Sequence, residues 1–354
     1  MEDPINKMIH HIADWLSGSG NDSDVIISSR VRLARNLQDI PFIDRASEDQ
    51  KQAVIGDIRN AVNDVALLER SAYIDMSGLQ DLDQQFFMER RLISSEFVDL
   101  QGPRGFFISN DESISLMINE EDHLRLQIIE SGLSLEKAWY MLHQLDQKMS
   151  LHLKYAYSDH FGYLTACPTN VGTGIRFSVF IHLPVLTFTK KIETMFAEMI
   201  PAGIAIRGFY GEGSKVMGNF FQISNQYTLG WTEQGILDRI IPLIKRFIFE
   251  ERKAREQALK TQRIHLEDKI YRDLGILTHA RILPSIEFLN HLSALRMGVD
   301  LGFLPNIDRK VFNELIVFTQ PAHIQKWKGK SLTELEIDTI RASLVRDKLN
   351  LHAA

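Results

Sequence analysis

The stretch Ile114-Ser115-Leu116-Met117-Ile118-Asn119-Glu120-Glu121-Asp122-His123-Leu124-Arg125-Leu126-Gln127-Ile128 decides how the chain is read. Ile114 to Ile118 reads as a strand, and Leu124, Leu126 and Ile128 alternate with polar residues as a half-buried strand does. Between them Asn119 to Asp122 form an acceptor-rich turn, and Arg125 follows four positions after Glu121. An apolar hairpin therefore holds carboxylates at its tip, where rigid strands can aim them. The plain alternative is a solvated acidic turn, and the choice depends on where the chain supplies opposite charge.

Upstream, Val25 to Arg35 is a short apolar strand running into Arg30, Arg32 and Arg35. A period of two places Arg30 and Arg32 on one face. Two guanidinium forks side by side repel unless an anion lies between them; otherwise they make a basic edge that resists aggregation. Gly105 to Ser109, Asn110-Asp111 and Ile114 to Ile118 read as a hairpin. Downstream, Leu164-Thr165-Ala166-Cys167-Pro168-Thr169-Asn170-Val171-Gly172-Thr173-Gly174 ends in a small-residue turn whose backbone can approach a ligand. In the strand Ile175 to Leu183, Arg176, Ser178 and Phe180 share a face. The strand Gly203 to Phe209 runs into Arg207-Gly208-Phe209-Tyr210-Gly211-Glu212-Gly213, either a loop able to close over a site or a set of tight turns. Phe220, Gln222 and Ser224 point one way along another strand.

Helical spacing predicts one helix from Ile5 to Leu16, stopped at Gly18-Ser19-Gly20, and a capped helix from Ser47 through Val65. Further helices are expected over about 79–90, Ser134 to Met149, about 185–199 and from Thr232 onward. The charge-dense stretch 250–268 reads as an exposed helical connection, with a domain boundary near 255–262 and an all-helical region after it. Residues 1–24 then form an N-terminal helical segment, 25–255 a catalytic domain and 262–354 a helical C-terminal domain.

The chain has 354 residues, a formal net charge of −6 and one cysteine, Cys167. That charge gives no general case for nucleic acid or membrane binding. A single cysteine excludes an internal disulfide and a multi-cysteine zinc site, and it suits a reducing compartment. Arg176 interrupts the best apolar run, and Met1-Glu2-Asp3-Pro4 lacks a secretion signal's basic region, so a cytoplasmic protein is expected. Histidines such as His10, His11, His152 and His160 show no metal-ligand spacing.

The strand ends together offer Arg30, Arg32, Arg125, Arg176 and Arg207 with the isolated Glu121 and Glu212. Converging arginine forks suit a polyphosphate, most simply a nucleoside triphosphate with Mg²⁺. Two carboxylates suit a planar guanidinium, gripping two edges and drawing off a proton as the third nitrogen attacks phosphorus. A free guanidinium holds its proton with a pKa above about 12, so proton removal must be concerted with N–P bond formation. Cys167 would be inert filling, or a further negative partner if partly thiolate.

Ser28-Ser29-Arg30-Val31-Arg32, Asn119 to Arg125, Cys167 to Gly174 and Arg207 to Glu212 closely resemble, in order, the signatures of the ATP:guanidino phosphotransferases, the creatine and arginine kinases. The resemblance implies an α+β fold: the mostly antiparallel, helix-flanked catalytic domain of the glutamine synthetase/guanido kinase type, here followed by an all-helical C-terminal domain. It implies that the five arginines bind ATP phosphates, within a nucleotide site of Ser28, Ser29, Arg30, Val31, Arg32, Arg125, Arg176, Phe177, Ser178, Val179, Phe180, Arg207, Gly208, Phe209, Tyr210 and Gly211. Glu121, as base, and Glu212 hold the guanidinium, with Cys167 beside it. Arg91 stands where the family usually places a histidine near the nucleotide.

Within the family the chain is similar to the bacterial protein-arginine kinases. Only 27 residues precede Ser28, whereas the metabolite kinases carry a helical domain there that helps enclose a small substrate. The resemblance implies arginine-bearing protein substrates, marking for a Clp protease, an activator protein, action on a stress repressor and self-association. In the tail, Ile337-Asp338-Thr339-Ile340-Arg341-Ala342 departs from an Arg-Asp-x-x-Arg-Ala motif that binds phosphoarginine in those kinases. The rival readings are a kinase of a free guanidino metabolite and a non-catalytic phosphoarginine-binding adaptor.

Overall fold

The structure, a computed structural model, describes residues 4–68, 71–208 and 217–353. In chain order the first part contains α1 (Pro4–His10), β1 (Ile26–Arg35), α2 (Glu48–Asn63), β2 (Ala72–Asp75), α3 (Asp81–Glu89) and α4 (Ser95–Asp99). Then come β3 (Gly105–Ile108), β4 (Ile114–Ile118), β5 (Leu124–Ser131), α5 (Leu135–Met149) and the small hairpin β6 (Tyr157–Ser158) and β7 (Gly162–Tyr163). After these follow β8 (Ile175–His182), α6 (Pro184–Phe188), α7 (Ile192–Met199), β9 (Ile204–Arg207), β10 (Phe220–Asn225) and α8 (Glu233–Thr261). The last part is all helical: α9 (Arg263–His279), α10 (Ser285–Asp300), α11 (Arg309–Phe318), α12 (Pro321–Lys328) and α13 (Glu334–Ala353).

Eight strands form one antiparallel sheet in the order β2-β3-β4-β5-β1-β8-β10-β9. Alternation divides it. Val31 and Leu33 of β1, Leu126 and Ile128 of β5, and Phe177 and Val179 of β8 belong to the main core, together with Ala138, Leu142 and Leu145 of α5. The opposite face carries Phe106, Ile108 and Met117 at the β3–β4 end, where α1, α3 and α4 cover it in a second, smaller core. Past β4 that same face turns polar, with Arg125 and Gln127, then Arg30 and Arg32, then Arg176 and Ser178, then Gln222. One sheet face is thus half core and half cleft.

The fold class and most elements match the sequence reading, and three local readings are corrected. The N-terminal helix stops at His10, and Asp14–Leu16 form a separate 3₁₀ turn. The His11 carbonyl accepts a bond from Arg90 (2.9 Å), so a buried cation takes the group that would continue the helix. The expected 185–199 helix is two, α6 and α7, broken where Lys190 adopts φ +56°. The charged stretch after residue 250 is not simply exposed. Within the continuous helix α8, the Glu251 carboxylate accepts from the backbone N–H groups of Val185 (3.2 Å) and Leu186 (2.9 Å), and buried Arg255 donates to Glu251 (2.9 Å). Strand β2, the short helix α4 and the β6–β7 hairpin are absent from the sequence reading.

Candidate active site

The acidic tip divides its work. Asn119, at φ +61°, donates to the carbonyls of Lys51 and Pro103 (2.9 Å each). Glu120 is buried, accepts from the Ser94 hydroxyl (2.5 Å) and forms an ion pair with Arg125. Burial alone would raise its pKa, but Arg125 and Ser94 hold it below the ordinary value. Asp122 accepts from Asn36 (2.6 Å) and from the backbone N–H of Ala166 (2.7 Å), which ties down the loop carrying Cys167. His123 accepts from Leu37 N–H (2.9 Å) on Nδ1 and donates to the Pro41 carbonyl (3.0 Å) from Nε2. Of the acidic tip, Glu121 alone lines the cleft.

That cleft, of about 770 Å³, is also lined by Arg32, Arg125, Cys167, Arg176 and Arg207. The Glu121 pKa is raised by burial and then by the like charges of Asp122 and Glu120, with Arg125 and a hydrogen bond from Cys167 opposing. A carboxylate held this way is a better proton acceptor than a free one. The Cys167 sulfur also lies 3.0 Å from the Thr169 hydroxyl.

The cations come from neighbouring strands. Arg32 of β1 stands directly opposite Arg176 of β8, and like charges so placed repel. Arg30 is half-buried in the cleft wall. Its pKa falls to about 9, first through desolvation and then through Arg91, Arg125, Arg176 and Arg207. Arg32, also half-buried, is pushed well down by desolvation and by Arg30, Arg125 and Arg176, and its buried Nε has no hydrogen-bond partner among the described residues. A multiply charged anion lying across these forks relieves both the repulsion and the unmet donor.

A second cleft of about 370 Å³ shares Arg32, Glu96 and Arg207 with the first and adds Arg30, Arg91, Gln222, Ile316 and Gln320. Arg91, at φ +64°, lies 4.3 Å from the centre of the Phe180 ring. Arg90 beside it is structural, bonded through two nitrogens to buried Glu112 (2.7 and 2.6 Å).

Of the residues expected at the nucleotide, Arg30, Arg32, Arg91, Arg125, Arg176 and Arg207 line these clefts. Ser178 and Phe180 share the face of Arg176, and Ser28 the parity of Arg30. Val31, Phe177 and Val179 instead belong to the core, and the Ser29 hydroxyl is spent on the Gly132 carbonyl (2.8 Å) and the Ser134 N–H (2.9 Å). The side chains of those four lie on the sheet's other face, as alternation dictates. Gly208 is buried just past β9, while Phe209, Tyr210, Gly211 and Glu212 lie outside the described residues. Sequence reasoning missed Glu120 as the Arg125 counter-ion, Glu96 on both clefts, and the contribution of Ile316 and Gln320. No sequence motif marks Glu96, which lies in α4 two positions after Ser94, the residue whose hydroxyl accepts from the Phe97 N–H (3.2 Å). In the tail, Ile337 is buried and Arg341 donates to the carbonyls of Thr319 (2.9 Å) and Leu283 (2.8 Å).

Residues 53–254 match the family model described as ATP:guanido phosphotransferase, C-terminal catalytic domain, and residues 263–354 match the one described as Protein-arginine kinase McsB C-terminal domain. The chain is 42% identical over 351 residues to a protein-arginine kinase of Halothermothrix orenii, covering 99% of each. It is 41% identical over 339 residues to one of Symbiobacterium thermophilum, covering 95% of this chain and 96% of that one. Among solved structures, lombricine kinase aligns with a TM-score of 0.60 at 22% identity over 69% of each chain, a likeness of fold. The duplicated taurocyamine kinase of Schistosoma mansoni aligns with a TM-score of 0.59 at 23% identity, over 74% of this chain and 38% of that one. No helix among the described residues is long and apolar enough to cross a membrane.

Proposed function

The chain belongs to the ATP:guanido phosphotransferase family and is a protein-arginine kinase, and from that premise we propose how its residues divide the reaction. Arg30, Arg32, Arg125, Arg176 and Arg207 clamp the phosphates of ATP. Glu121 faces the guanidinium of a protein arginine, Cys167 stands beside it, and Glu212 supplies the second grip. The observation that carries this reading is the meeting, in one cleft, of arginines crowded on adjacent strands with the one carboxylate of the acidic tip that faces them.

Phosphoryl transfer asks little covalent chemistry of the protein, so alignment and charge neutralisation dominate. The terminal phosphate lies where the first cleft meets the second, between Glu121 and the shared Arg32 and Arg207. The nucleoside end extends into the second cleft, toward Arg91, Gln222, Ile316 and Gln320. Glu121 accepts the guanidinium proton as the N–P bond forms. Mg²⁺ held through the phosphates needs few protein ligands and adds charge neutralisation. Kinship further suggests cytoplasmic action, self-association, an activator protein, marking for a Clp protease and control of a stress repressor.

Labelled ATP offered with casein or with free arginine tests the reading. Acid-labile label on casein is expected; label on free arginine alone overturns it.

A further inference from the structure

An arginine that belongs to a polypeptide cannot enter a cleft alone, because its backbone and neighbours must lie on the rim. One side of the first cleft's rim is apolar. Ile200 and Ile204 line the cleft, and Ile204 also lines a small notch with Tyr227, Trp231, Ile236 and Leu243. Ile200, Tyr227, Leu229 and Trp231 are each between 44% and 57% exposed. Single exposed apolar residues are ordinary, but a cluster of them marks an interaction surface.

This surface is built onto the catalytic loop. The Thr228 hydroxyl lies within hydrogen-bond distance of the carbonyls of Thr169 (2.8 Å) and Val171 (2.7 Å), in the turn that follows Cys167. Gly172, at φ +110°, lies so close that a Cβ there would stand 2.7 Å from the Thr228 carbonyl oxygen and 2.8 Å from the Leu229 Cα. The Arg239 guanidinium lies 5.0 Å from the Trp231 ring centre and backs it from α8. The rim therefore has a fixed position relative to Cys167.

Resting on the protein-arginine kinase reading, we propose that the Tyr227–Leu229–Trp231 rim binds the polypeptide beside the acceptor arginine and selects an extended segment with a large apolar side chain near it. That side chain packs across the exposed faces of Tyr227, Leu229 and Trp231 while the arginine reaches Glu121. Extended chain advances about 3.3–3.6 Å per residue, so apolar positions one to about four residues away can be scanned. Tyrosine and tryptophan suit such a surface, offering large contact area with few rotatable bonds.

The test uses the full chain, ATP–Mg²⁺ and two peptides with one arginine each: one with Gly/Ser flanks, one with a Leu or Phe at the scanned position. The wild type should show a lower KM for the apolar-flanked peptide. Trp231→Ala should raise that KM by about tenfold, leaving the Gly/Ser peptide, kcat and the KM for ATP unchanged. Leu229→Ser, at an exposed position away from the α8 cap, guards against misfolding and should act in the same direction. Equal KM values for both peptides on the wild type, or equal changes for both in the variants, overturn the proposal. A drop in assembly mass in either variant also overturns it, assigning the rim to contact between copies. Label on free arginine but on neither peptide would overturn the kinase reading itself.

Discussion

Two sets of arginines, one paired and one crowded, differ in what faces them. Arg35 bonds Asp146 (2.8 Å) and the Thr173 carbonyl (2.8 Å), and Arg90, at the end of α3, bonds Glu112 through two nitrogens. Arg30 and Arg32 are half-buried in the cleft wall, where other arginines crowd them and desolvation lowers their pKa values. The first set holds the fold together. The second repels within the free protein, a cost that the proposed nucleotide phosphates would relieve. The adjacent glutamates repeat the contrast: Glu120 is spent on Arg125, and Glu121 is aimed into the cleft with a raised pKa.

The sharpest way to break the contrast is at the glutamates. Glu121→Gln should lower kcat by about 100- to 10,000-fold with little change in melting temperature. Glu120→Gln should instead strand Arg125 and cost about 3–5 kcal/mol of stability in denaturant unfolding. Equal stability losses would dissolve the distinction.

Among the paired arginines, Glu112→Ala leaves Arg90 buried without its carboxylate. A loss of about 3–5 kcal/mol is expected, with the KM for ATP of the folded fraction unchanged.

The smallest effect concerns Glu89, whose carboxylate accepts from the N–H groups of Ala322 (2.9 Å) and His323 (3.0 Å) at the start of α12. Burial raises its pKa from 4.5 to about 7. The folded state therefore holds this proton more tightly than the unfolded one. Its stabilising contribution is complete below pH 4.5 and is lost as pH rises through 7. Glu89→Gln cannot titrate, so the difference in melting temperature between wild type and variant should slope across that window and level off above it.

Much of this is legible in the chain. Alternation predicts the hairpin of β4 and β5, and a period of two puts Arg30 and Arg32 on one face. Motif order brings Glu121 and Cys167 to a shared cleft. What stays hidden depends on contacts distant in sequence. Nothing in Asn119-Glu120-Glu121-Asp122 says which carboxylate meets Ser94 and Arg125 and which meets the cleft. Nor does the pattern around Arg255 disclose that Glu251 is buried against α6, since charge density alone reads as solvent exposure. Ile316 and Gln320 carry no motif and reach the second cleft from α11 and from the cap of α12, the helix whose first N–H groups bond Glu89.

The most direct test is the melting temperature of Arg32→Met, with and without ATP–Mg²⁺. Replacing an uncompensated, partly buried cation with an apolar side chain should raise the melting temperature of the free protein and remove most of the nucleotide-induced rise. A lower melting temperature without nucleotide, together with an undiminished response to ATP, would contradict the account.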